Sequence, residues 1–175
     1  RGPGSFTGLR TACAVAQGLA FAARQGRGVP VLPVDTLLAL AEQARAEHGL
    51  TQLVAALDAR MDEVYSAPYE YRGGAWQALA EMTVAQPEAL AVPAGFAVAG
   101  NARAAYGERL APGATHVAAL PTAQALLRLA PALLAQGLAV PAEQALPLYV
   151  RNKVAQTTAE REALKAGEVL KAAQA

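Results

Sequence analysis

Residues 52–59 and 63–71 form two β-prone runs, and only Arg60, Met61 and Asp62 separate them. Three residues are too few for a crossover, so the runs must fold back on each other as an antiparallel hairpin. A second turn at Arg72, Gly73 and Gly74 predicts a further strand through Trp76 and Leu79. One face of this sheet needs a cover, and the flanking segments have helical periodicity. Leu9, Cys13, Ala16 and Ala20 recur at spacings of three and four, Asp35 is placed to cap a second helix running to about His48, and Thr122 a third. In that third helix Leu126, Leu127, Ala130, Leu133 and Leu134 read as the core stripe, with Pro131 expected to kink the helix or split it. Residues 29–34, 96–99 and 115–118 read as short strands, the first bounded by Pro30 and Pro33, with a helical turn at 87–91 and a helix at 102–110. Helices alternating with strands in this way predict a mixed α/β class.

Composition removes several functions. The chain has 175 residues, 54% of them hydrophobic and 17% charged, which excludes disorder and leaves ample material for one or two cores. The hydrophobic fraction is swollen by 45 alanines, and Pro, Gly or a charge interrupts every Leu/Val cluster, so no membrane span is expected. A net charge of +1 without a basic patch gives no support for direct, tight nucleic-acid binding. A single cysteine, Cys13, and no secretory leader point to a reducing, cytoplasmic setting. The glycine-rich turn at Gly2, Pro3, Gly4 and Ser5 runs into a helix with no strand before it, which reads as the later part of a longer protein.

Few constellations could carry chemistry. Gly2, Gly4, Ser5 and Thr7 ahead of a helix could bind an anion or simply make a tight turn. The segment is neither a Walker loop, since Leu9 and Arg10 follow Gly8, nor a dinucleotide fingerprint, since Thr7 stands where the third glycine belongs. His48 and His116 lack ligands at metal spacing and read as surface histidines, so no metal site is expected. Cys13, on an apolar helix face without a base, reads as a small core residue. Asp58, Arg60 and Glu63 cluster where the hairpin turns, either facing a ligand or fixing the turn; Gly100 and Asn101 form a second strand-end turn. Thr11, Val15, Gly18 and Ala22 make a second row of small residues on the first helix. Gly18 costs about 1 kcal/mol relative to Ala there, a cost that a closely approaching neighbour would justify.

Three blocks taken together resemble the bacterial TsaB family, also called YeaZ. They are Arg1-Gly2-Pro3-Gly4-Ser5-Phe6-Thr7-Gly8-Leu9-Arg10, Asp58-Ala59-Arg60-Met61-Asp62-Glu63-Val64-Tyr65 and Leu146-Pro147-Leu148-Tyr149-Val150-Arg151-Asn152. The resemblance implies an actin-like and Hsp70-like ATPase (ASKHA, ribonuclease H-like) α/β fold of two subdomains, with the N-terminal part incomplete. The expected division is a remainder of the first subdomain at 1–50, the second at 51–150 and a charged, helical tail at 151–175, where Thr157 and Glu160 fit a capping box.

The function the resemblance implies is a non-catalytic scaffold or activating subunit. Its complex would add threonylcarbamoyl to the adenosine adjacent to the anticodon in tRNAs reading codons that begin with A. The implied partners are the TsaD catalytic subunit, the TsaE ATPase in the larger complex, a second copy when the chain is alone, and tRNA only through the complex. ATP and a divalent metal would belong to the partner enzyme, with no cofactor held by this chain. The family joins its partners through helices of the first subdomain, which carries the interface onto Thr11, Val15, Gly18, Ala22, Leu37, Leu38 and Ala41. Packing of the small row against the second helix is the alternative. The competing function is a stand-alone metallo-glycopeptidase or ATPase of the same superfamily.

Overall fold

The computed structural model describes residues 1–151; the expected tail helix and its capping box lie outside them. Ten helices and strands follow in chain order: α1 (Phe6–Gly26), α2 (Thr36–His48), β1 (Gln52–Arg60), β2 (Glu63–Arg72), β3 (Ala75–Ala78), β4 (Thr83–Ala85), β5 (Ala97–Gly100), α3 (Ala102–Tyr106), β6 (His116–Val117) and α4 (Ala123–Ala135). Single 3-10 turns sit at Pro87–Ala89, Gly107–Arg109 and Ala142–Gln144.

The β1–β2 hairpin forms as expected, antiparallel from the Gln52–Glu70 pair to the Arg60–Glu63 pair, with a register shift between Asp58 and Arg60. Arg60, Met61 and Asp62 all take positive φ, which matches the twist of a tight hairpin turn without a glycine. The strand order is β3-β2-β1-β5-β6, and β4 shares the outer edge of β2 with β3. β5 runs parallel to both β1 and β6, so the sheet is mixed. β4 gives no periodicity signal at three residues long.

Alternation along the strands divides the sheet into two cores. Leu53 and Ala55 of β1, Ala67 and Tyr69 of β2 and Ala99 of β5 meet Leu37, Leu40, Ala41 and Ala44 of α2. On the other face Ala56, Val64 and Val98 meet Ala102 and Leu110. The first cluster runs across residue 50, so the expected division there cuts through one hydrophobic core. Leu37 and Leu40 are wholly buried in it, each contributing roughly 1.5–3 kcal/mol.

Glu42 closes the outer side of α2. Although 1% exposed, it accepts hydrogen bonds from Arg45, from Trp76 Nε1 at 3.0 Å and from Arg128 Nε at 3.0 Å, which ties α2 to β3 and α4. Burial alone would raise its carboxyl; the Arg45, Trp76 and Arg128 donors outweigh it and hold the group below the ordinary range.

Several sequence expectations are corrected. Residues 29–34 form no strand: a single bridge joins Val31 to Val140, because Pro30 and Pro33 remove ladder donors on both sides. Asp35 sits at the α2 N-cap without capping it; its carboxylate pairs with Arg1 instead, at 2.6 Å. In α4, Thr122 caps as expected, but the core stripe is Ala125, Leu129 and Leu133, while Leu126, Leu127 and Leu134 are exposed. The helix continues through Pro131. The expected 102–110 helix tightens to a 3-10 turn after Tyr106. At its own end α1 departs from helical geometry over Ala23, Arg24 and Gln25.

Candidate functional site

The structure gathers all three sequence blocks around one cleft of about 290 Å³. The first turn of α1 supplies Ser5 and Phe6, the hairpin supplies Asp58 and Tyr65, and the returning segment supplies Tyr149 and Arg151.

Ser5 is the N-cap of α1, its hydroxyl accepting the Gly8 N–H at 3.1 Å. A Cβ at Gly8 would sit 2.6 Å from that oxygen, so the glycine makes room for the cap. At Gly2, where φ is +150°, a Cβ would lie 2.4 Å from the Leu148 carbonyl oxygen. Gly4 is exposed against Leu9, and Thr7 is exposed in the first turn. Tight packing and capping thus account for Gly2, Ser5 and Gly8, and nothing beyond an ordinary helix start is built there for an anion.

Asp58 sits at the hairpin end with four ties. It accepts from Tyr106 Oη at 2.6 Å and from the Arg60 N–H at 2.8 Å, pairs with the Arg60 guanidinium at 3.0 Å, and its own N–H donates to Asn101 Oδ1 at 2.9 Å. Burial pushes its carboxyl up, but the Tyr106 and Arg60 donors prevail and hold it low. Burial and the Asp58 carboxylate push Tyr106 up to about 12. Tyr106 and Asn101 escaped the sequence reading as partners of Asp58; a polar residue just after a β-strand that neighbours Asp58's strand was the available signal. Glu63 pairs with Arg151 rather than with Asp58 or Arg60. The cluster fixes the turn, with Asp58 held by Tyr106 and Arg60 and Glu63 by Arg151. Among the described residues no group of three or more His, Cys, Asp or Glu side chains could hold a metal ion. His48 is exposed and His116 is half-buried in β6, with its Nε2 beside the Ala111 carbonyl.

α1 presents two unlike faces. Leu9, Cys13, Ala16 and Ala20 do face inward, and the first three line a second, apolar cleft of about 570 Å³ shared with Val31, Leu126 and Leu127. The opposite face holds Thr11, Val15, Gly18 and Ala22, all exposed; Val15 is 56% exposed and a Cβ at Gly18 would meet nothing within 4 Å. The row therefore does not pack on α2. Leu37 and Ala41, assigned to the same interface from sequence, are 0% exposed in the α2 core, and Leu38 packs against two clusters. A side chain with no free surface cannot touch a partner, which removes Leu37 and Ala41 and leaves the α1 row and the half-buried Leu38.

With this geometry in hand, comparison with known proteins is specific. The family model for TsaD, tRNA N6-adenosine threonylcarbamoyltransferase, matches residues 1–163. The tRNA threonylcarbamoyladenosine biosynthesis protein TsaB of Escherichia coli is 36% identical over 168 residues, which is 89% of this chain and 70% of that protein. The chain belongs to the TsaB family. The Haemophilus influenzae TsaB is likewise 36% identical, over 88% of this chain and 69% of its own length. The solved structure of YeaZ from Pseudomonas aeruginosa superposes with a TM-score of 0.76 at 44% identity, covering 85% of this chain and 71% of that one. TsaB-family membership agrees with the three motif blocks and with the mixed α/β, ASKHA-like class. Among the described residues no helix is long and apolar enough to cross a membrane.

Proposed function

We propose that this chain is the non-catalytic scaffold subunit of a tRNA threonylcarbamoyladenosine-forming complex, acting on the adenosine next to the anticodon in tRNAs that read codons beginning with A. Its partner is a TsaD-type catalytic subunit, which supplies the ATP and metal chemistry; a TsaE-type ATPase joins the larger complex. Alone in the cytoplasm the chain pairs with a second copy, and tRNA is reached only through the assembly. The names of the Escherichia coli and Haemophilus influenzae relatives support the pathway, and they do not favour a stand-alone glycopeptidase or ATPase.

The observation that carries the scaffold reading is the outer face of α1. Val15, Leu19 and Phe21 are 56%, 70% and 56% exposed there, and Gly18 lies open among them. Apolar side chains displayed this way around small residues suit the close approach of a second helix. The test is Gly18→Leu. In the monomer, diluted below its self-association, it gains somewhat under 1 kcal/mol of helix propensity and meets no neighbour, so its thermal midpoint should hold or rise slightly. Capture of a TsaD-type subunit should weaken by at least about a hundredfold, the consequence of four extra carbons in a close helix contact. Unchanged capture would remove this face from the interface.

A further inference from the structure

Residues 145–151 return along α1 and end at the hairpin, touching both. At the α1 end, the Leu148 N–H donates to the Arg1 carbonyl at 2.9 Å, Arg10 Nε donates to Tyr149 Oη at 3.1 Å, and the Phe6 and Tyr149 rings lie 5.3 Å apart. Gln17 reaches the Ala145 carbonyl farther along the helix. At the hairpin end Arg151, with a side chain 14% exposed, donates to the carbonyls of Ala59 at 3.1 Å and Arg60 at 3.4 Å and pairs with Glu63. Its other terminal nitrogen lies 3.4 Å from Met61 Sδ. One terminal nitrogen thus meets these three oxygens of the turn and the other meets Met61 Sδ, while Nε is buried without a partner among the described residues, a spread of contacts that a compact ammonium would reproduce only in part.

The helix it serves is weakly held otherwise. Of α1 only Ala20 is buried, and the inner stripe borders an apolar cleft rather than a filled core. We propose that Arg151 is a positioning residue. By anchoring the 145–151 strap to the β1–β2 turn, it fixes where the first turn of α1 stands relative to the sheet, and so orients the outer face of that helix. The proposal rests on the partner reading of α1 only for its consequence in binding; the anchoring itself is a property of the free chain.

Amide hydrogen exchange on the full chain tests it, with Arg151→Ala, Arg151→Lys and Tyr149→Phe. Arg151→Ala should speed exchange by about fivefold or more both in the 58–63 turn and in the first turns of α1, leaving α2 unchanged. Arg151→Lys should restore only part of the protection. Tyr149→Phe should loosen the α1 end and spare the turn. If Arg151→Ala loosens the turn alone, Arg151 is a local staple and the proposal fails. Should that variant not fold, Glu63→Gln releases the ion pair while leaving the carbonyl contacts, and the same two-region readout decides. Capture of a TsaD-type subunit separates this proposal from the one it rests on. Faster α1 exchange with weaker capture upholds both, whereas faster exchange with unchanged capture upholds the anchoring and refutes the partner face.

Discussion

Helices α1 and α2 are written in much the same alphabet, alanine and leucine with scattered arginine and glutamine, yet they end in opposite environments. α2 has six buried residues in thirteen, and α1 has one in twenty-one. Propensity does not explain the difference, since both sequences form helices readily. What separates them is what lies beneath. α2 rests on a five-residue patch contributed by β1, β2 and β5, while the inner stripe of α1 faces the strap and a cleft. An apolar stripe states that a helix has an inside; it does not state how completely that inside is filled.

Truncation should expose the contrast most strongly. Leu40→Ala in α2 removes a wholly buried side chain from the sheet-facing core and should cost about 2–5 kcal/mol in urea unfolding. A cost below about 1 kcal/mol would mean that α2 is no better supported than α1.

The next effect concerns Glu42. Glu42→Ala leaves Arg45, Arg128 and the Trp76 indole without their acceptor and should cost about 1–3 kcal/mol, the two arginines being partly solvated. The same carboxylate gives the contrast a pH dependence. Glu42 and Asp58 are held below their ordinary values, so their stabilisation is complete at neutral pH and is lost as pH falls through about 4 toward the folded values. Urea midpoints measured from pH 7 to 3 should fall over that window, less steeply in Glu42→Ala. An equal fall in the variant would assign the acid sensitivity elsewhere.

The smallest effect is expected on α1. Leu19→Ala, at a position 70% exposed, should shift the stability of the monomer, diluted below its self-association, by no more than about 0.5 kcal/mol while weakening partner capture. A larger loss of stability would show that the outer face of α1 is covered in the free chain.

The hairpin and the α1 stripes were legible because their signals are local. An apolar run in β1, alternation in β2 and a three-residue turn between them leave one way to pair the two strands. Thr122 announced its helix start for the same reason. What was illegible depended on distant chain. Leu126 and Leu127 satisfied helical spacing as well as Ala125 and Leu129 did, and only the position of α2 selects between the two stripes. Leu37 and Ala41 were drawn into an interface because sequence does not reveal that β1 and β5 lie over them. The anchoring of Asp58 needed Tyr106, 48 residues away, and that of Glu63 needed Arg151, 88 residues away.

Gly100 ends β5 opposite Ala56, where an added Cβ would stand 1.9 Å from the Ala56 carbonyl oxygen. The obstruction is backbone, so no trimming of the Ala56 side chain could relieve it. The clash follows from the backbone of Gly100 itself, whose φ of +145° swings the Cβ position toward β1, whereas Ala99 beside it pairs with Ala55 and carries its Cβ without conflict. The missing side chain thus lets β5 end in a conformation pressed directly against β1 that a residue with a Cβ could not hold there. Any replacement of Gly100 would therefore push the two parallel strands apart at the end where Asn101 Oδ1 accepts the Asp58 N–H.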